Sequence, residues 1–464
     1  MSAATSPSSG SQTAAAKMDG GSSPSSKGKT DEMSTTVVNL ADFHRIAKHK
    51  MDKIDYDYYA SGSLDEATVK RNMQSWAQYC IWPRFCGSAD LATVELETSL
   101  RLPSSSTPSA AAGTTIPLKM PVMVCPMALQ KLAHPDGEVG LARAAAKAGI
   151  LYCITQQAST KVETICAESK GGPKMFQMYI FRNRALTERL IRRCEKCEDI
   201  RALVVTVDSP VLGRRERDIR NKFTPKSRGV EISNWKEEPT KAASNSGSGA
   251  SSSSSAGGQS AVASSAFKAT TPAPSVVAVA SRIGGRDAGF RWSDLAWLRS
   301  VTNLPIIVKG VLHPIDAILA AENGTAAVWV SNHGGRQADS AVGCADAFPH
   351  IRHALQRWAA AKSDRTIPPL IVDGGVRRGQ DVLRGLLLGA DVVSVGRPFL
   401  WALAADGERG ADSACSILRD EVTNAMQLAG VSAVGKAKEL GRELLIQKGT
   451  EKQAFERMLG EAKL

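Results

Sequence analysis

With 464 residues, 43% of them hydrophobic, the chain can bury a large core, either as two or three domains or as one α/β barrel with appendages. Its net charge of +12 resides beyond the first 36 residues, where Lys17, Lys27 and Lys29 balance Asp19, Asp31 and Glu32. No basic run is interleaved with aromatics, no apolar stretch approaches a membrane span and no hydrophobic signal opens the chain; this argues against nucleic-acid or membrane partners and for a field that attracts small anions.

Residues 1–36 are mostly Ser, Ala, Gly and Lys and are expected to be a disordered tail, because they hold too little apolar surface to offset the entropy of ordering. The tail is poor in acid, as transit peptides are, but carries no arginine before Arg45, so import into an organelle such as the mitochondrion through this end is a minor alternative. The folded part is expected over 37–464. Four β-rich apolar runs come first: Pro121–Pro126, Ile150–Thr155, Lys174–Ile180 and Ala202–Asp208. A low-complexity insertion follows at about 226–280, with serine at every position from Ser251 to Ser255, and reads as a flexible loop inside one domain. Four more runs come after it: Leu304–Gly310, Ala326–Ser331, Pro369–Asp373 and Asp391–Gly396. Helix-compatible segments lie between most of them, including Gly140–Ala148, Thr187–Cys197, Pro314–Ala321 and Gly379–Leu388. Cys194 and Cys197 are the one close cysteine pair; without a second pair or a His cluster they read as chance spacing on a helix, no metal site is expected, and nine scattered thiols fit a reducing compartment.

Continuous apolar strands alternating with helices indicate a parallel sheet covered on both faces. Eight such units favour a TIM (β/α)8 barrel, preceded by an N-terminal helical segment, over an open doubly wound sheet. The turn after the first run, Val124-Cys125-Pro126-Met127-Ala128, lacks the GxGxxG pattern expected of a dinucleotide-binding sheet.

In such barrels the site forms at the carboxyl ends of the strands, and polar residues gather there. The ends carry Pro126-Met127-Ala128, then Thr155-Gln156-Gln157, then Gln177 and Tyr179, then Thr206-Val207-Asp208 followed by Arg214-Arg215. Past the insertion they carry Lys309-Gly310, Ser331-Asn332-His333-Gly334-Gly335-Arg336, Asp373-Gly374-Gly375 with Arg377, and Gly396-Arg397. The hexapeptide from Ser331 is the most informative. A histidine moves protons near neutral pH, an arginine forks onto a carboxylate, and two glycines allow close backbone approach to a flat ligand. The glycine-rich turns with Arg377 and Arg397 suggest a phosphate site.

Together these residues resemble the FMN-dependent 2-hydroxy-acid oxidase family, which includes glycolate oxidase, lactate oxidase, mandelate dehydrogenase and the flavocytochrome lactate dehydrogenases. The likeness runs from about Val37 to Gly430, is closest to the glycolate oxidase branch, and includes Tyr56-Asp57-Tyr58-Tyr59-Ala60-Ser61-Gly62 besides the strand ends above. It implies FMN as cofactor, with Pro126, Met127, Ala128, Thr155, Gln177, Thr206, Lys309 and Ser331 contacting the flavin, and Asp373, Gly375, Arg377, Gly396 and Arg397 holding ribityl and phosphate. It implies His333 as catalytic base with Asp208 against its imidazole. Arg336, Arg215 and the Tyr58 hydroxyl would hold the substrate carboxylate, and Tyr179 would bond the substrate hydroxyl or the forming carbonyl. The reaction implied is oxidation of an (S)-2-hydroxy acid to the 2-oxo acid with O2 reduced to H2O2. A dehydrogenase passing electrons to a cytochrome or quinone, and an inactive flavin-binding protein, are the alternatives.

The chain departs from the family at Gln157, where glycolate oxidases carry tryptophan; a smaller, polar wall suggests larger or polar 2-hydroxy acids. Met127 replaces a threonine, and Gln337–Cys344 lacks the bulky residues of the plant-type loop. The last residues, Ala462-Lys463-Leu464, resemble a peroxisomal address, which implies an import receptor as partner and a peroxisome or glycosome-type organelle, with cytoplasm as alternative. A homo-oligomer, tetramer or octamer, is what the family implies.

Overall fold

Eight short runs rich in Val, Ile and Leu become strands buried along nearly their whole length, as a sheet covered on both faces requires. The computed structural model describes residues 36–85, 90–103, 113–235, 285–454 and 456. Within it Val37 onward forms one unit. The expectations for the tail, for most of the serine-rich block and for Ala462-Lys463-Leu464 fall outside the described residues. The chain stays described through 226–235, where short 3-10 turns at Lys226–Arg228 and Ser233–Trp235 lie, and Asn234 accepts a hydrogen bond from Val162 N at 2.9 Å.

In chain order the strands are β1 (Tyr79–Ile81), β2 (Thr98–Leu102), β3 (Thr114–Leu118), β4 (Val122–Val124), β5 (Leu151–Thr155), β6 (Lys174–Met178), β7 (Ile200–Thr206), β8 (Ile306–Val311), β9 (Ala327–Val330), β10 (Leu370–Val372), β11 (Val392–Val395) and β12 (Leu445–Gln447). Strands β4 to β11 are the eight expected runs, and they close in sequence order into a parallel barrel, β11 pairing back onto β4. A helix follows each barrel strand: Gly137–Ala148, Val162–Glu168, Arg184–Glu195, Asp294–Val301, Pro314–Glu322, Cys344–Ala360, Gly379–Leu388 and Arg397–Ala429. The fold is therefore the TIM barrel. The helix expected from Thr187 begins earlier, at Arg184, because Asn183 Oδ1 caps it through Ala185 N. It ends at Glu195, so Cys197 lies beyond it, and both cysteines are free thiols.

Alternation along the strands sorts the core. Met123, Cys153, Met175, Val204, Ile307, Trp329, Ile371 and Val392 share the barrel interior. Leu100, Leu102, Ile116 and Leu118 of the β2–β3 hairpin join that same cluster and close the barrel's amino end. Burying each such side chain contributes about 1.5–3 kcal/mol. The intervening strand residues, such as Tyr152, Phe176, Leu203 and Val328, pack under the helices. With one end plugged, a ligand is left the carboxyl end. Three helices precede the barrel, Leu40–Lys50, Lys53–Ala60 and Ala67–Trp76; the first lies along Arg397–Ala429.

Candidate active site

Register places polar side chains side by side at the carboxyl ends. Thr155 is opposite Gln177 across β5 and β6. Thr155 Oγ1 donates to Gln177 Oε1 at 2.8 Å, and Gln177 Nε2 donates to Thr206 Oγ1 at 2.9 Å. The amide is thereby oriented from both sides, and the Thr206 hydroxyl keeps its own hydrogen for a ligand.

Across the barrel Lys309 Nζ donates to Ser331 Oγ at 2.9 Å, and Ser331 Oγ donates to Asp373 Oδ2 at 2.9 Å. Lys309 and Asp373 are an ion pair at 3.5 Å. Burial opposes charge on Lys309, but Asp373 and Asp208 outweigh it and hold the ammonium pKa above its ordinary value. The second oxygen of Asp373, Oδ1, is buried without a partner among the described residues.

His333 sits at φ 59°, a left-handed conformation rare outside glycine and one that accumulates at functional sites. Its Nδ1 is 2.8 Å from Asp208 Oδ1, which also accepts from Ser209 Oγ at 3.0 Å. Asp208 fits there because β8 bulges between Lys309 and Val311, at Gly310 with φ 107°; a Cβ on Gly310 would lie 2.7 Å from that of Asp208. Burial lowers the His333 pKa below its ordinary 6.5, although Asp208 pulls the other way. Burial pushes Asp208 up, but His333 and Lys309 overcome it and hold the carboxyl below 3.8. At neutral pH the pair is a neutral imidazole against a carboxylate. A carboxylate only accepts, so Nδ1 carries the hydrogen and Nε2 keeps a lone pair.

Arginines crowd the same space. The helix Lys53–Ala60 ends above the barrel, and its last carbonyls anchor two of them. Arg336 Nη1 donates to Tyr58 O at 2.6 Å and Ser61 O at 3.1 Å; Arg397 donates to Tyr59 O at 2.9 Å and Ser61 O at 3.1 Å. Burial and then the charge of Arg336 push Arg215 down to about 10. Burial, Arg336 and Arg377 push Arg397 down to about 9. Arg377 is also lowered by burial. Arg215 Nε is buried with no hydrogen-bond partner among the described residues. Buried cations set against one another are stable partners only for anions. The Tyr58 ring, stacked on Phe223 at 4.3 Å, fills the space beside Arg336.

These groups line one cavity with about 1020 Å³ of empty volume, together with Gln157, Tyr179, Pro126, Met127, Ala128, Gly375 and Gly396. Every residue expected in the site lines it except Asp208 and Ser331. Asp208 stands behind His333, in contact with its ring. Ser331 is fully buried, and its hydroxyl is taken up by Lys309, Asp373 and the backbone N–H of His333. Ser331 thus stands behind Lys309 and not on the cavity wall.

Sequence reasoning missed several residues. Tyr59 lines the cavity and its hydroxyl donates to Leu129 O at 2.6 Å, fixing the loop that carries Met127 and Ala128; its place in the YDYYASG motif was the available signal. Glu138, fully buried, accepts from Gln130 N, Ser159 N and Thr160 Oγ1 and ties the loops after β4 and β5 together. Arg286, just past the serine-rich block, lines the cavity mouth and carried no local signal.

The residues 47–445 match the family model for FMN-dependent dehydrogenase. The chain belongs to that family. It is 35% identical over 406 residues to "Glycolate oxidase 5" of Oryza sativa subsp. japonica, covering 86% of this chain and 93% of the rice protein. It is 34% identical to the glycolate oxidase of Spinacia oleracea, covering 88% and 95% of the two chains. Among solved structures, mandelate oxidase with (S)-4-hydroxymandelic acid superposes with a TM-score of 0.70 at 33% identity, covering 87% of this chain and 98% of that one.

The family uses FMN, and the cavity fits it. Arg377 and Arg397 offer charge for a phosphate, and the unpartnered Asp373 Oδ1 offers an acceptor for a sugar-chain hydroxyl. Gly375, at φ 91°, leaves bare backbone where a Cβ would lie 2.2 Å from Asn72 O.

Proposed function

We propose that the chain oxidises an (S)-2-hydroxy acid to the 2-oxo acid, passing two electrons by way of FMN to O2, which becomes H2O2. The observation that carries this reading is a neutral histidine, backed by a carboxylate, in one cavity with Arg215, whose Nε is buried without a hydrogen-bond partner among the described residues, and Arg336.

Bound FMN supplies the two-electron acceptor. Arg377 and Arg397 neutralise its phosphate, with Asp373, Gly375 and Gly396 toward the ribityl chain. Thr155, Gln177 and Thr206 present polar atoms to the ring, and Pro126, Met127 and Ala128 line it. Lys309, kept cationic by Asp373, would place a positive charge beside the ring, where it favours electron uptake. Ser331 positions Lys309. On the substrate side Arg215, Arg336 and the Tyr58 hydroxyl hold the carboxylate, which fixes C2 and its hydroxyl. His333 Nε2 takes the hydroxyl proton, and Asp208 stabilises the imidazolium that results. Tyr179 bonds the oxygen as it becomes a carbonyl. Gln157 shapes the wall and favours acids larger or more polar than glycolate. A chain ending Ala462-Lys463-Leu464 and releasing peroxide suits a peroxisome-type organelle, and a tetramer or octamer is the assembly we assign it.

Anaerobic titration of the holoenzyme with a panel of 2-hydroxy acids, followed by air, tests the reading. Bleaching of the flavin absorbance, then rapid recovery with peroxide, is the expected result. Bleaching without recovery in air would assign a different electron acceptor, and a flavin that no acid bleaches would overturn the proposal.

A further inference from the structure

Arg286 is the cation in this cavity for which the proposed reaction has no use. Its backbone is clamped beside the loop after β6: an antiparallel bridge joins it to Phe181, Arg182 N donates to Gly285 O at 3.1 Å and Asp287 N to Ile180 O at 2.8 Å. Its guanidinium carbon lies 3.6 Å from the centre of the Tyr179 ring, which holds the side chain over the residue assigned to the substrate hydroxyl. The neighbouring carboxylate, Asp287, is committed to Arg184 at 2.7 Å. Asp208, on the wall beyond, gives Oδ1 to His333 and Ser209, and its Oδ2 makes no hydrogen bond to Arg286 or to any other described residue. Arg286 therefore faces the cavity with no hydrogen bond or ion pair of its own among the described residues.

Charge counting separates it from the others. Lys309 has Asp373, Arg377 and Arg397 are matched by a phosphate, Arg215 has Asp218 at 3.9 Å, and Arg336 is matched by the substrate carboxylate that it would hold together with Arg215. One positive charge remains, at the mouth. Gln157, a side chain that both donates and accepts, lines the same cavity.

Resting on the oxidase reading above, we propose that Arg286, assisted by Gln157, forms a distal subsite that binds the second carboxylate of a 2-hydroxy dicarboxylate. The bonds broken are unchanged: the C2 hydrogen and the hydroxyl proton leave, and the distal carboxylate is only held. A chain of two or three carbons beyond C2 would carry it outward from the Arg215–Arg336 clamp. The guanidinium suits it because a fork of N–H donors on a rigid platform recognises a carboxylate through both oxygens.

Methyl-for-carboxylate pairs test this in the holoenzyme: (S)-2-hydroxyglutarate against (S)-2-hydroxyvalerate, and (S)-malate against (S)-2-hydroxybutyrate. The diacid is expected to have the higher kcat/KM, by about tenfold or more, the worth of a charged hydrogen bond. Arg286→Leu should remove that preference chiefly through KM and leave the monoacids within about twofold, with Arg286→Lys intermediate. Glutarate, which cannot be oxidised, should perturb the flavin absorbance of the wild type at lower concentration than that of Arg286→Leu. Equal or better use of the monoacids by the wild type overturns the subsite while leaving the oxidase reading intact. An equal loss on both members of a pair in Arg286→Leu assigns Arg286 to support of Tyr179 and also overturns it. Bleaching by neither kind of acid overturns the oxidase reading itself.

Discussion

A histidine held in a left-handed conformation, with Nδ1 spent on a carboxylate, has one nitrogen left for chemistry. Burial lowers its pKa below 6.5 and Asp208 partly restores it. The base must be neutral, so kcat/KM should fall with decreasing pH along an acid limb below the ordinary imidazole range. Asp208→Asn removes the one contribution that raises the pKa. The limb should then move to still lower pH while the rate drops, because imidazolium formation loses its counter-charge. A limb that shifts upward in Asp208→Asn, measured as a pH–rate profile, would contradict this arrangement. At this scale the sequence was legible where chemistry clusters locally, as in Ser331–Arg336. It was silent on Glu138 and Arg286, whose partners lie far away along the chain and which repeat no pattern.

Strand and helix positions were legible because a buried parallel strand is a continuous apolar run, and eight recur. The short pair β1–β12 and the plug hairpin β2–β3 were not, since three to five residues of mixed polarity give no period. The loop Gln337–Cys344 shows a different difficulty. Without bulky residues its packing was in doubt, but it is held by polar contacts. Glu66, before the helix Ala67–Trp76, makes no side-chain cap. Instead the Asp339 carboxylate accepts from Thr68 N at 2.9 Å and Asp65 N at 3.1 Å, and Ala341 N donates to Thr68 Oγ1 at 3.0 Å. Asp339→Ala should therefore cost about 1 kcal/mol in urea unfolding, the worth of a lost N-cap. The Asn72 and Asn332 amides pair near the middle of that helix and link it to the hexapeptide, so flavin retention should weaken only slightly. Unchanged stability would mean that the helix start is held by something else.

For the whole molecule, the plugged amino end and the cationic mouth decide how an acid arrives. A chain of net charge +12 with arginines lining the cavity at the barrel's carboxyl end should attract small anions from a distance. Raising salt from about 10 mM to 0.5 M shortens the screening length from roughly 30 Å to under 10 Å. It should lower kcat/KM for the hydroxy acid and leave kcat nearly constant; a kcat/KM indifferent to salt would mean the field plays no part in capture. The barrel and its site face were legible at this scale, but the arginines' backbone anchors were not, because Tyr58, Tyr59 and Ser61 meet Arg336 and Arg397 only after folding. The most direct test of His333 as the base is stopped-flow reduction of His333→Gln under anaerobic conditions with the acid that best bleaches the wild type. Arg377 and Arg397 are untouched by the change, so FMN should remain bound. Reduction should slow by about 10²–10⁴-fold, the range of general-base catalysis. Full FMN occupancy with reduction at the wild-type rate would contradict the assignment.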